Sequence, residues 1–352
     1  MRQALPLNVA AKAVEMSKTG RTQAGMPAPA NAARQPHSPM WRAVNTAFAR
    51  LLHAASVITY RFLLVLLSFL PLKWACRGAR FLGRLTYGRR SRKYTSEIAI
   101  MGPRLGLSPL QAESAVERHF ELAACEDMEA FLYPRLAKAT VRNVMEVRGL
   151  ENLQRALARG KGAIVCSGHL KGFATFAVAL SLLGYKINHT HRVDPLGPQG
   201  LASEHWFFLW RQAILEKKFG IRFLLVSPTN PWVALQGLNV LRKNEVLFML
   251  FDAPSTTRNI EVNFLGRRVA FPSGPAVLAK RSGAPLLNFY VYRADPWVPQ
   301  IAEIGTPFYV NEDIAAAVQH YVSCLEDKIL QHPANWCTWL AREWRVEKGF
   351  VE

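Results

Sequence analysis

Hydrophobic positions along the 352-residue chain change their period twice. Phe62 to Leu72 form an apolar run without a charge, preceded by an interrupted apolar stretch from Ala54 to Tyr60. From Ser108 to Arg135 the apolar positions Leu110, Ala115, Phe120, Leu122, Met128 and Phe131 recur near helical spacing, with Ser108 placed as an N-cap. Beyond that the pattern becomes short apolar runs alternating with helical stretches. Gly162 to Ser167, bounded by Gly160 and Gly168, reads as a buried strand. Ala174 to Leu183 follows as a helix and Tyr185 to Val193 as a strand. Leu201 to Phe219 is a helix with Trp206, Phe207, Trp210 and Ile214 on one face, and Ile221 to Val226 is a strand. Pro231 to Arg242 is a helix with proline in its first turn, and Glu245 to Phe251 a strand. A hairpin-like stretch from Asn259 to Phe271 precedes a helix from Gly274 to Arg281. Strands at Leu286 to Arg293 and Ile301 to Pro307 and a helix from Glu312 to Leu330 close the pattern. This alternation predicts an α/β layer protein, a mixed sheet flanked by helices that begins near residue 145.

Half of the residues are hydrophobic, enough to bury a core, which excludes a disordered tail protein. Five cysteines at 76, 125, 166, 324 and 337 form no close pair in sequence, so they read as thiols rather than a disulfide framework or a zinc site. The net charge of +19 is concentrated: no acidic residue lies between Glu15 and Glu97, while fourteen Lys and Arg do. Basic charge and the strongest apolar run therefore coincide, as expected of a segment that dips into lipid beneath anionic headgroups. The run is too short to favour a spanning helix. A nucleic-acid arm would instead interleave its cations with polar residues, and nucleic acid is not an expected partner. The expected organisation is a disordered leader at 1–40, basic membrane-associated amphipathic helices at 41–96, and an α/β domain at 97–345.

The sharpest local chemistry lies in Ser167-Gly168-His169-Leu170-Lys171-Gly172, where a buried strand gives way to a helix. Ligands of open α/β sheets bind at such strand ends, and a histidine there can serve as a general base near neutral pH or stand as an exposed loop residue. Ser167 makes no nucleophile elbow, because Val165 and His169 stand where G-x-S-x-G requires glycine. Asp252 ends another strand, with Arg258, Arg267 and Arg268 close behind. These residues either cap a solvated loop or share a substrate pocket with His169, receiving a phosphate-bearing substrate. His189 and His191 share one face of a strand, but no third ligand completes a metal site. Lys171 and Arg192 are further candidates for anion contact.

Several segments resemble one family. They are Val147-Arg-Gly-Leu-Glu-Asn-Leu153, Ala158-Arg-Gly-Lys-Gly-Ala-Ile164, Ser167-Gly-His169, Val262-Asn-Phe-Leu-Gly266, Ala270-Phe-Pro-Ser-Gly-Pro-Ala-Val-Leu-Ala279, Ser282-Gly-Ala-Pro285, and His332-Pro-Ala-Asn-Trp-Cys-Thr-Trp339 with Arg342 and Trp344. Together with the basic N-terminus they are similar to the late lipid A acyltransferases of the lysophospholipid acyltransferase superfamily, from about residue 45 to 345. The resemblance implies a glycerolphosphate acyltransferase-like α/β fold at the cytoplasmic face of the inner membrane. It also implies transfer of a fatty acyl group from an acyl-carrier-protein or coenzyme A thioester to a lipid acceptor, an O- or N-acylation of lipid A (lipopolysaccharide) type. His169 would be catalytic, with Lys171, Arg192, Asp252 and Arg258 binding substrate, and no cofactor or metal is needed. The sequence departs from the family at one place: the motif H-x-x-x-x-D/E has Ala174 in its acidic position, and no acid occurs between Glu151 and Asp194. Another acid then approaches in space, or catalysis is slower or differently arranged, or the chain is a non-catalytic lipid-binding member of the fold.

Overall fold

A computed structural model of the chain describes residues 55–90, 94–192, 202–227, 230, 232–252, 258–293, 299–311 and 313–350. The leader expected at 1–40 lies outside the described residues. Helix α1 (55–67) ends before the turn at Ser68 to Leu70, and α2 (Leu72–Arg90) follows Pro71. The apolar run thus leaves its helix at Leu67, turns through Ser68 to Leu70, and meets α2 at Leu72 after Pro71, which has no N–H to donate. No helix among the described residues is long and apolar enough to cross a membrane. After α3 (Thr95–Met101), α4 (Pro109–Ala130) opens on a capping box in which Ser108 and Gln111 bond each other's backbone N–H, with Pro109 at the first helical position. Both N-terminal helices pack against α4: Leu64, Ala75, Cys76 and Ala79 meet Ala124, Cys125 and Met128 in one buried cluster. This brings together two cysteines that the sequence separates by 49 positions, the Cys125 thiol facing the Cys76 carbonyl at 3.8 Å.

The sheet begins with β1 (Met145–Arg148) and continues through α5 (Leu150–Leu157), β2 (Ala163–Ser167), α6 (Phe173–Leu182), β3 (Ile187–Arg192), α7 (Ala202–Phe219) and β4 (Arg222–Val226). Then come α8 (Val233–Arg242), β5 (Val246–Leu250), the hairpin β6 (Asn259–Phe264) and β7 (Arg267–Pro272), and α9 (Gly274–Ser282). The chain continues through β8 (Leu286–Tyr292), β9 (Gln300–Ile304), α10 (Ile314–Gln331) and α11 (Arg342–Glu347). Seven strands make one mixed sheet in the order β1-β9-β8-β2-β5-β3-β4, in which only β8 and β9 pair antiparallel. Crossover helices between parallel strands cover both faces, so central strands carry apolar side chains on both sides. On β2, Ile164 and Cys166 face a core with Val240 of α8, Leu278 of α9 and Tyr321 and Leu325 of α10, whereas Ala163 and Val165 face Ala156 of α5, Phe176 of α6 and Leu215 of α7.

Three arginines from two helices, Arg80 and Arg84 of α2 and Arg118 of α4, converge on the buried carboxylate of Glu121, and Arg61 pairs with Asp127 at 2.7 Å. Part of the basic N-terminal charge is thus used to fasten α1 and α2 to α4. The helices and the turn between them leave many apolar side chains outward among a few cations: Ile58, Phe62, Leu66, Phe69, Trp74, Phe81 and Leu85 are exposed, as are Lys73 and Arg77. The hairpin turns on Leu265 and Gly266, both at positive φ, the backbone of a two-residue turn that matches strand twist. It is bound to α10 by Gln319, which accepts from the Asn263 N–H at 2.8 Å and donates to the Asn263 carbonyl at 3.0 Å.

Candidate active site

β2 and β5 are parallel neighbours with Ser167 opposite Leu250, and the Phe251 N–H donates to the Ser167 carbonyl at 3.0 Å. Carrying that register two residues further sets His169 against Asp252. The His169 backbone N–H donates to both carboxylate oxygens at 2.9 and 3.0 Å, and Nδ1 of its ring meets Oδ1 at 2.5 Å. Gly168 is needed between them, because a Cβ there would lie 2.9 Å from Asp252 Oδ2 and 2.8 Å from Leu325. Asp252 is fully buried and also accepts from Trp336 Nε1 at 2.8 Å and from Thr338 Oγ1 at 2.6 Å. Its position corrects the substrate-binding role expected for it: the carboxylate sits behind the histidine, held by donors from the protein. The acid that the sequence lacks at 174 is supplied by the neighbouring strand. Ala174, in the first turn of α6, is buried.

The electrostatics follow from this contact. Burial opposes the charge of Asp252, but the His169 imidazole and the donors His169, Thr338 and Trp336 outweigh it and hold the carboxyl down at about 2. Burial likewise opposes protonation of His169, and the Asp252 charge and hydrogen bond, with Glu126 adding to them, raise its pKa above the usual 6.5. With Nδ1 committed to Asp252, Nε2 is the nitrogen that can exchange a proton, and the side chain is about one third exposed at the mouth of a cavity.

That cavity has a volume of about 810 Å³, within the range of sites that bury a small ligand. Phe173, Ala177, Leu215, Phe223, Val233 and Leu247 supply much of its apolar wall, and Lys171, Arg211, Arg258 and Arg281 bring cations to its lining. Lys171 stands 3.7 Å from Glu126, whose other oxygen accepts from the Gly172 N–H at 3.2 Å. Burial opposes the Lys171 charge, but Cys337, Glu126 and Asp127 raise its pKa. Gly172 is at φ +91°, where a Cβ would collide with the Gln300 side chain, so glycine is required where α6 starts. Arg258 lines the cavity, and its own carbonyl is fixed by the Ser273 N–H at 3.0 Å and hydroxyl at 2.9 Å. Arg267 and Arg268 turn elsewhere, donating to the Gly349 and Glu261 carbonyls. Arg192 ends β3, and its side chain lies outside the described residues.

Sequence reasoning assigned no individual role to Trp336 and Thr338, although their segment was part of the resemblance. The stretch after α10 returns to the loop that carries His169. Leu170 bridges Trp336, the Lys171 N–H donates to the Asn335 carbonyl and the Cys337 N–H to the His169 carbonyl, both at 2.8 Å. Trp336 is completely buried against Phe264 of the hairpin, with ring centres 5.7 Å apart. The whole segment is a clamp that fixes His169 from one side and Asp252 from the other.

Residues 46–346 match the family model for bacterial lipid A biosynthesis acyltransferases. The chain is also similar to the phosphatidylinositol mannoside acyltransferase of Mycobacterium tuberculosis strain H37Rv, with 25% identity covering 74% of this chain and 78% of that protein. The phosphatidylinositol mannoside acyltransferase of Mycolicibacterium smegmatis is 24% identical, covering 59% of this chain and 65% of its own length.

Proposed function

The chain belongs to the bacterial lipid A biosynthesis acyltransferase family, and from that premise we propose that His169 and Asp252 transfer a fatty acyl group from a carrier-protein or coenzyme A thioester to a hydroxyl of a membrane glycolipid. The observation that carries this reading is the His169–Asp252 pair at the mouth of a large apolar cavity. The acyl chain occupies the cavity with its thioester carbonyl beside His169. Nε2 removes the proton of the acceptor hydroxyl as the oxygen attacks the carbonyl carbon, and Asp252 stabilises the imidazolium that forms. Collapse of the tetrahedral intermediate breaks the carbon–sulfur bond, and the proton passes from Nε2 to the departing thiolate. Developing negative charge on the carbonyl oxygen needs a donor or cation, a role for which Lys171, two residues after His169 and lining the same cavity, is suited. Arg258 in the lining suits a phosphate of the donor's prosthetic group or of the acceptor.

A glycolipid acceptor is supported by what the mycobacterial relatives are named for, a mannosylated phosphatidylinositol; a lipid A precursor belongs to the same class. The exposed apolar residues of α1 and α2, in an acid-free stretch carrying fourteen cations, support docking on an anionic membrane, and the inner membrane's cytoplasmic face is the proposed location.

The test presents a glycolipid acceptor in anionic or neutral vesicles to the full chain with a soluble acyl thioester, and follows thiol release. Release is expected to require the acceptor and to run faster on anionic vesicles. It is also expected to climb as pH rises through the raised His169 pKa, because only neutral imidazole accepts the proton. Thiol release that ignores the acceptor would contradict the reading.

A further inference from the structure

His189 of β3 is a polar residue placed where an apolar one would pack. Its ring lies between aromatic neighbours: stacked on Phe248 at 5.2 Å and Phe173 at 6.0 Å, and 5.6 Å from Phe223. Phe248 and Phe223 are its register partners on β5 and β4, so the three side chains share one sheet face. The residue is only 8% exposed, yet it lines the apolar cavity, and neither ring nitrogen makes a hydrogen bond among the described residues. The adjacent Thr190 main chain lies near the ring without reaching bonding geometry. A phenylalanine would keep the stacking and avoid the desolvation of two nitrogens, so packing alone does not account for imidazole here. Burial, with the nearby His191 and His169 adding to it, holds His189 near a pKa of about 3, so the ring is neutral and offers one donor and one acceptor nitrogen.

A hydroxyl group also has one donor and accepts through its lone pairs, which matches that inventory. The Phe173 ring packs against both histidines, its centre 6.0 Å from each, so His189 lines the same cavity as the reacting centre. We propose that His189 is a specificity residue that hydrogen-bonds a hydroxyl carried along the acyl chain, so that the cavity selects hydroxylated over plain fatty acyl groups. This rests on the acyl-transfer reading of the same site, and deepens it by naming the class of acyl group.

The experiment uses the full chain and displacement of a fluorescent fatty acid by hexadecanoic acid and by its 2-hydroxy, 3-hydroxy and mid-chain hydroxy derivatives. At least one hydroxy isomer is expected to bind ~5- to 10-fold tighter than the plain acid, the size of one net hydrogen bond. His189→Phe is expected to reduce that ratio to about one, and His189→Gln, which keeps a donor and an acceptor, to retain part of it. Equal binding of all isomers by the wild type, or an unchanged ratio in His189→Phe, would overturn the proposal. Because binding is read without turnover, the two readings fail separately. A chain that prefers a hydroxy acid but transfers nothing keeps the role of His189 and loses acyl transfer, and one that transfers without preference does the reverse.

Discussion

Replacing Asp252 with asparagine is expected to lower acyl transfer by about 10³- to 10⁴-fold, the scale seen when a triad histidine loses its orienting carboxylate. The isosteric amide fills the same buried space, but it cannot stabilise the imidazolium, and it faces Nδ1, Trp336 Nε1 and Thr338 Oγ1 with one oxygen where two charged ones stood. The loss belongs in kcat, because Asp252 is fully buried behind His169, away from the substrate. Adding Ala174→Glu to this variant is expected to restore nothing. Ala174 is buried in the α6 turn, while Nδ1 is aimed at the end of β5. Rates measured on the two variants with one thioester and one acceptor check both statements.

The largest stability effect is expected at Glu129. It lies on α4, has no exposed surface, and takes an ion pair from Arg293 at the end of β8 and a hydrogen bond from Gln300 at the start of β9. Glu129→Ala would leave the Arg293 guanidinium, itself almost fully buried, without its carboxylate, and removing one member of a buried pair costs about 3–5 kcal/mol. The denaturant midpoint should fall accordingly with little change in slope. The same pair joins the helical layer to the sheet beside Gly172, so a loosened Glu129 also loosens the start of α6.

The alternation of strands and helices was legible because central parallel strands are apolar throughout and their helices keep a 3.6 period, and the elements fall within a few residues of the pattern. Deviations have local causes. α8 opens on the N-cap Trp232, with Pro231 outside the described residues, and β9 stops at Ile304, after which the Gly305 N–H bonds to the Asn288 carbonyl at 2.8 Å. The short helix α5 carries no clear signal in the sequence, because eight residues hold little periodicity.

The site was legible in pieces. Strand ends mark His169 and Asp252 separately, but nothing local in sequence says that β2 and β5 are neighbours, and the dyad depends on that pairing. Sequence spacing points instead to position 174, five residues along the chain, whereas the acid that meets His169 is Asp252. Trp336 and Thr338 reach Asp252 from 84 and 86 positions away, and such contacts carry no periodic signal. The cluster Arg258, Arg267 and Arg268 divides because Arg258 precedes β6 and lines the cavity, whereas Arg267 and Arg268 open β7 and donate to the Gly349 and Glu261 carbonyls.

The central claim is that Asp252 has taken over the work of the missing acid, and titration of His169 followed by nitrogen-15 NMR tests it most directly. The account predicts a wild-type pKa above 6.5 that drops in Asp252→Asn, where burial is left largely unopposed, and that stays in place when Ala174 is changed to serine. An identical His169 titration in wild type and Asp252→Asn would contradict it.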